Sequence, residues 1–154
     1  AAAGKPTRKK DLGMMAISYG NVYVAQIAMG ANPTQTLRAI QEAEAYPGPS
    51  LIIAYSTCIA QDIKMAKGMD VMKDAVQTGF WPLYRYNPLV EEGKNPFQLD
   101  SRMDIEGLEA FVYGQGRFSV LRKADPDRAQ QLMELLHQDV IARWNAYQAL
   151  AEGK

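Results

Sequence analysis

A chain of 154 residues fits one ordinary domain, and a composition of 47% hydrophobic and 22% charged residues is that of a globular protein with a true core, which excludes a disordered or fibrous chain. Seventeen basic residues balance seventeen acidic ones, so no net field draws nucleic acid, an anionic membrane or a polyanionic substrate to the chain. One cysteine excludes an internal disulfide, and the opening "A-A-A-G-K-P-T-R-K-K" has no apolar core of a signal peptide, so a reducing, cytoplasmic setting is expected. The apolar runs fall short of the roughly 20 residues that cross a bilayer, so no membrane segment is expected. The basic residues Lys5, Arg8, Lys9 and Lys10 read as solvated surface.

Asp11 is placed to cap a short helix over "L-G-M-M-A-I-S-Y", ended by Gly20, after which "V-Y-V-A-Q-I" has the β-branched and aromatic content of a strand. From Pro33, Leu37, Ile40, Ala43 and Ala45 recur near helical spacing until Pro47-Gly48-Pro49 stops them. The apolar run "S-L-I-I-A-Y" then suits a strand buried on both faces of a parallel sheet, completing a βαβ unit. The segment from Ile59 to Gly79 reads as a helix or two, with an interruption at Gly68. "F-W-P-L-Y-R-Y-N-P" is aromatic and extended, but Pro82 argues for an edge or irregular segment, and 89–101 reads as a loop. Asp125-Pro126 opens a long helix in which Ala129, Met133, Leu136, Val140, Trp144, Tyr147 and Ala151 form one packing stripe.

Chemistry-bearing motifs are scarce. No phosphate-binding loop, dinucleotide fingerprint, zinc-protease helix or C-x-x-C is present, and "G-Q-G-R" from Gly114 reads as a turn. His137 has no nucleophile at a partnering distance in sequence and reads as a helix-surface residue. Glu91-Glu92 lies in a loop without a cleft to set the pKa values of its carboxyls apart, and Tyr84-Arg85-Tyr86 lacks the basic background of a base-stacking platform.

Cys58 lies three residues beyond the end of the second expected strand and just before an expected helix. In open parallel sheets ligands collect outside the carboxyl ends of strands, and amides at a helix start favour a thiolate or the sulfurs of an iron–sulfur cluster. On packing grounds alone a buried, inert thiol is the favoured reading, because free cysteine is among the most buried residue types.

Three long stretches, "K-K-D-L-G-M-M-A-I-S-Y-G-N-V-Y-V-A-Q-I-A-M-G-A-N", "A-Y-P-G-P-S-L-I-I-A-Y-S-T-C-I" and "G-F-W-P-L-Y-R-Y-N-P", resemble the C-terminal part of the single-chain pyruvate:ferredoxin (or flavodoxin) oxidoreductases. The likeness is close from Lys9 to Ser101 and looser beyond, where "F-V-Y-G-Q-G-R-F" and the helix with Trp144, Asn145 and Tyr147 still resemble the family's carboxyl end. The resemblance implies an α/β fold, the parallel-sheet half of a thiamine-diphosphate-binding domain over 1–101, with a helical C-terminal extension over 102–154. Such enzymes are homodimers that convert pyruvate and coenzyme A to acetyl-CoA and carbon dioxide, passing electrons to ferredoxin or flavodoxin. They use thiamine diphosphate with magnesium and three 4Fe-4S clusters.

The resemblance further implies that Cys58 is the fourth ligand of the cluster nearest the thiamine, the other three cysteines coming from an earlier segment. Because the family's G-D-G and N-T-G-G-Q run precedes the part resembled here, with Ala1–Lys5 following it, no thiamine or magnesium ligand falls on this chain. One departure stands out: where the family reads I-x-H-G after the cysteine, this chain has Gln61 and Asp62. The expectation is therefore a piece of a 2-oxoacid oxidoreductase, inactive alone, whose partners are the remaining domains of the enzyme. The alternative is a non-catalytic structural or interaction module derived from that domain.

Overall fold

The computed structural model describes residues 4–153, so Ala1–Ala3 and their expected place after a diphosphate motif lie outside the described residues. Asp11 accepts from the Met14 amide at 3.0 Å and starts α1 (Leu12–Ile17), with Gly20 at φ 75° turning the chain into β1 (Tyr23–Ile27). Asn32 caps α2 (Pro33–Ala45) by accepting from the Gln35 amide, with Pro33 in the first turn, where its missing N–H costs nothing. β2 (Ser50–Ala54) follows, then two single 3₁₀ turns at Ile59–Gln61 and Met65–Lys67 that lead into α3 (Gly68–Gln77). β3 (Tyr84–Tyr86), β4 (Phe97–Leu99), α4 (Leu108–Tyr113), α5 (Gly116–Ala124) and α6 (Pro126–Ala151) complete the chain.

The α/β class stands, but the sheet is mixed, in the order β2-β1-β3-β4. Only β1 and β2 run parallel, with Tyr23 opposite Ser50 and Ile27 opposite Ala54, whereas β3 lies antiparallel to β1 and β4 antiparallel to β3. Three expectations are corrected by this arrangement. β2 is a half-exposed edge strand, although its apolar run suggests burial on both faces. The aromatic segment after Gly79 supplies a central strand, because Pro82 precedes β3 and removes no ladder donor, while its carbonyl accepts from the buried Gln26 Nε2 at 2.7 Å. The stretch expected to be a loop contains β4, whose entry is fixed by Asn95: its Oδ1 accepts from the Phe97 amide and its Nδ2 donates to the last carbonyls of α6, Leu150 and Ala151, at 2.7 and 2.9 Å.

Every residue of β1 is buried because both faces of the sheet are covered. On one face Val24, Tyr84 and Phe97 pack under Ala16 of α1 and Tyr147 of α6. On the other, Tyr23, Ala25 and Ile27 pack under Ala39 of α2. Gly13 lets α1 lie flat on the first face, since a Cβ there would stand 1.7 Å from the Tyr84 hydroxyl. The long helix follows its expected stripe, with Ala129, Val140, Trp144 and Tyr147 buried and Met133 and Leu136 packed on the cluster of Phe80, Leu108 and Phe111.

The second face carries a buried charge network that periodicity gives no sign of. Arg85, with its side chain 6% exposed, forms a fork with Asp100 (Nε–Oδ2 2.7 Å, Nη2–Oδ1 2.9 Å) and donates Nη1 to Glu42 at 2.5 Å. Glu42 also accepts from Arg38 and from the Tyr23 hydroxyl, and Gln35 donates to Asp100 at 3.1 Å. The network joins α2, β1, β3 and the exit of β4. It stands at Tyr84-Arg85-Tyr86, a stretch that lacks the basic background of a stacking platform, and the burial of Tyr84 and Arg85 agrees with that.

Candidate functional site

The carboxyl ends of the parallel pair meet at Ile27 and Ala54. Beyond them the Tyr55 amide donates to the Ile27 carbonyl at 3.0 Å, and the Trp81 indole N–H donates to the same oxygen at 3.0 Å. The Tyr55 and Trp81 rings meet edge to face with centroids 5.3 Å apart, which fixes the direction in which the chain leaves β2. Ser56 and Thr57 then carry it to Cys58, an extended residue (φ −132°, ψ 132°) that precedes the first 3₁₀ turn.

Cys58 is a free, exposed thiol, so the packing argument for a buried cysteine is overturned. Apolar side chains next to it in the chain and in the adjoining segments are uncovered too, with Ile59 71% and Met65 59% exposed. Gly68 brings the start of α3 against this loop, since a Cβ there would lie 3.0 Å from the Thr57 hydroxyl. Gly30 does the same for the loop after β1, where a Cβ would meet the Met69 backbone at 2.8 Å. Two glycines thus let α3 close on both loops at the carboxyl edge of the pair.

Of the two departures from the resembled pattern, the side chain of Gln61 lies outside the described residues. Asp62 falls where the pattern has glycine, and it holds φ at 59°, the left-handed region that favours glycine. It is the single non-glycine with positive φ among the described residues, and aspartate is one of the few residues that tolerate that conformation. The backbone that glycine would adopt is therefore retained.

Among the described residues no group of three or more His, Cys, Asp or Glu side chains could hold a metal ion. The chain fits the supply of one thiolate to a metal cluster and does not fit the binding of a cluster by itself, which takes four ligands. His137 stands exposed on α6 beside a shallow depression with Glu106, Glu109 and Glu134, as a helix-surface residue would. Glu91 pairs with Lys94 at 2.7 Å in an exposed loop. Gly114 and Gln115 form the break between α4 and α5, whereas Gly116 and Arg117, read with them as a turn, open α5. Arg8 is bound to Asp139 of α6 at 2.6 Å, so some of the basic opening is docked on the helical body. Among the described residues no helix is long and apolar enough to cross a membrane.

Fold and site together define an α/β module that presents one uncovered thiol at the carboxyl edge of its parallel strand pair. No protein-family model matches the chain. It is 55% identical over 152 residues to the pyruvate-flavodoxin oxidoreductase of Nostoc sp., 51% identical over 154 residues to the pyruvate:ferredoxin oxidoreductase of Moorella thermoacetica, and 44% identical over 156 residues to the mitochondrial NADP(+) pyruvate dehydrogenase of Euglena gracilis. These matches take in 98%, 99% and 99% of this chain but only 13%, 13% and 9% of the length of the respective relatives. The chain thus matches one segment of the pyruvate-flavodoxin and pyruvate:ferredoxin oxidoreductases, in agreement with the resemblance drawn from its three long stretches.

Proposed function

We propose that this chain works as one segment of a pyruvate oxidoreductase and that the sulfur of Cys58 is one of four thiolates holding a 4Fe-4S cluster, the other three lying on a neighbouring segment of the enzyme. The observation that carries the reading is the exposed position of the single thiol at the strand ends, amid uncovered apolar side chains. A cysteine kept for packing would be buried, whereas a ligand shared with another segment must face outward. The relatives support the rest: their names share pyruvate and differ in the electron acceptor, which fits a segment serving the portion of the reaction common to all.

In this reading, 1–101 belongs to a thiamine-diphosphate-binding domain and 102–154 is a helical extension upon it. When bound in the intact enzyme, thiamine diphosphate with magnesium supplies carbanion stabilisation and the clusters supply one-electron transfer. The role of this chain is positional. Tyr55 and Trp81 fix the exit of β2, Thr57 and Gly68 set the loop, and the apolar side chains of Ile59 and Met65 keep water from the thiolate once a neighbour covers them. Coenzyme A, ferredoxin or flavodoxin, a homodimeric assembly and a cytoplasmic setting belong to the whole enzyme.

The test is Cys58→Ser in the intact enzyme. A hydroxyl is a harder and poorer ligand than thiolate, so one cluster should be lost or altered, with iron content reduced and the paramagnetic resonance of the reduced protein changed for that cluster alone. Full iron content with every cluster signal unaltered would remove Cys58 from the ligand set.

A further inference from the structure

The ladder between β1 and β2 determines which backbone groups of β2 are left over. The Tyr23 amide donates to the Pro49 carbonyl and the Tyr55 amide to the Ile27 carbonyl, both at 3.0 Å. Between these limits Tyr23, Ala25 and Ile27 stand opposite Ser50, Ile52 and Ala54. In a parallel ladder of that register the amides and carbonyls of Leu51 and Ile53 turn to β1, so those of Ser50, Ile52 and Ala54 point away from it. β2 ends the sheet, and no hydrogen bond among the described residues takes these outward donors and acceptors.

The devices that keep an edge strand single are missing from β2, which carries no charge, no proline and no bulge. Its side chains are packed from both faces, Leu51 with the cluster under α1 and Ile52 with the cluster under α2. Both helices leave apolar side chains uncovered, Leu12 and Met15 on α1 and Leu37 and Ile40 on α2. Glu42 of α2 reaches Arg85 in β3, and at 3.6 residues per turn Ile40 and Leu37 stand roughly 160° and 140° around the helix from it, on the flank toward the free edge of β2. The 17 basic and 17 acidic residues balance, so no net charge keeps two copies apart.

The outward pattern is also symmetric. Ser50 and Ala54 lie equally far on either side of Ile52, so a two-fold axis at Ile52 sets one β2 antiparallel to another, with Ile52 opposite Ile52 and Ser50 opposite Ala54. In that register every outward amide and carbonyl of both copies is joined, and none is left over.

We propose that the 154-residue chain forms a two-fold dimer through β2, its four-stranded sheet running on into that of the second copy, with the uncovered side chains of the two α2 helices meeting across the seam. An isologous contact of this kind consumes the free edge of each copy and stops at two. The inference is independent of the reading of Cys58, which lies beyond the carboxyl end of the strand.

The test is sedimentation equilibrium of the chain over a range of concentrations, joined to amide hydrogen exchange read by NMR. The expected result is a concentration-dependent monomer–dimer equilibrium in which the Ser50, Ile52 and Ala54 amides become slow only where the dimer forms. The Leu51 and Ile53 amides, held by β1, should be slow at every concentration, which also reports that each variant is folded. Ser50 and Ala54 are exposed, so charges can be placed there without disturbing the core. Ser50→Lys with Ala54→Lys sets lysine against lysine at both outer pairs and should raise the dissociation constant about tenfold, whereas Ser50→Glu with Ala54→Lys sets opposite charges there and should not raise it. A chain that stays monomeric into the millimolar range, a dimer whose outward amides remain fast, or equal dissociation constants for the two double variants would overturn the proposal.

Discussion

The hydroxyl of Tyr147, near the end of the last helix, donates to Oδ2 of Asp11 at 2.5 Å, while Oδ1 of the same carboxylate accepts from the Met14 amide and caps the first helix. One aspartate thus starts α1 and ties it to an element 136 positions away. Burial comes first, and then this hydrogen bond, in pushing the Tyr147 hydroxyl well above the ordinary tyrosine range. Removing the carboxylate by Asp11→Ala should cost about 1 kcal/mol for the cap and about 1–3 kcal/mol for the buried hydroxyl left without its acceptor. Tyr147→Phe, which removes only the second contact, should cost about 1 kcal/mol, and urea midpoints of the two variants and the double mutant give the coupling directly.

Gly13→Ala offers a case in which two effects oppose. Alanine gains about 1 kcal/mol over glycine in a helix interior, but its Cβ would stand 1.7 Å from the hydroxyl of the buried Tyr84 ring. Overpacking of a filled core costs about 1–3 kcal/mol, so a net loss of stability is expected. A thermal midpoint equal to or above that of the parent would show that α1 can lift from the sheet without penalty.

Arg85 holds two carboxylates on the α2 face of the sheet, and Arg85→Met would leave both without their main partner. A loss of about 3–5 kcal/mol is expected, because the penalty is that of uncompensated buried charge rather than the worth of the pair. Arg85→Lys should recover only some of it, since an ammonium cannot make the fork to Asp100 while reaching Glu42. Equilibrium unfolding in urea measures both.

The same network sets an acid dependence. Burial alone would raise the Glu42 carboxyl, but hydrogen bonds and charge from Arg85, then hydrogen bonds from Arg38 and Tyr23, outweigh it and hold the group below its ordinary value of 4.5. A carboxyl depressed in the folded state adds stability that is complete above the unfolded-state value and is lost as the pH falls through the folded one. Stability should therefore drop as the pH passes downward from 4.5, and the Glu42→Gln variant, less stable at neutral pH, should lose less over that interval. Parallel acid-unfolding curves for the two proteins would contradict this.

Cys58 should be open to reagents in the native chain. One equivalent of a maleimide or aromatic disulfide should react per chain without denaturant, since the sulfur is exposed. Reaction only after unfolding would return the thiol to the interior.

Much of the architecture was legible because it rests on local signals: Asp11 and Pro33 at helix starts, Pro47-Gly48-Pro49 at a stop, and the stripe from Ala129 to Ala151. What escaped depends on partners distant in sequence. β4 is three residues long and owes its place to Asn95 bonding across to α6, and β3 is central because two strands flank it, which Pro82 concealed. β2 looked doubly buried because an apolar run has no side-specific pattern, whereas in this chain it ends the sheet. At the candidate site, Cys58 stood out by position, but its exposure could not be read from the apolar run before it. The Arg85 network left one trace, an arginine between two tyrosines in a strand, and a buried guanidinium there demands carboxylates that sequence alone does not locate.

The clasp between Asn95 and the final carbonyls of α6 bears on how the polypeptide is made. The sheet is complete in sequence once Leu99 has been synthesised, yet the aromatic face formed by Tyr84 and Phe97 gains its ring contacts with Tyr147 only when the last helix has emerged. With 55 positions separating Asn95 from Leu150, a long loop must close before that cover is in place. A nascent chain therefore carries an uncovered aromatic surface through most of the synthesis of its helical half, and a ribosome stalled before Tyr147 would display that surface to any chaperone within reach.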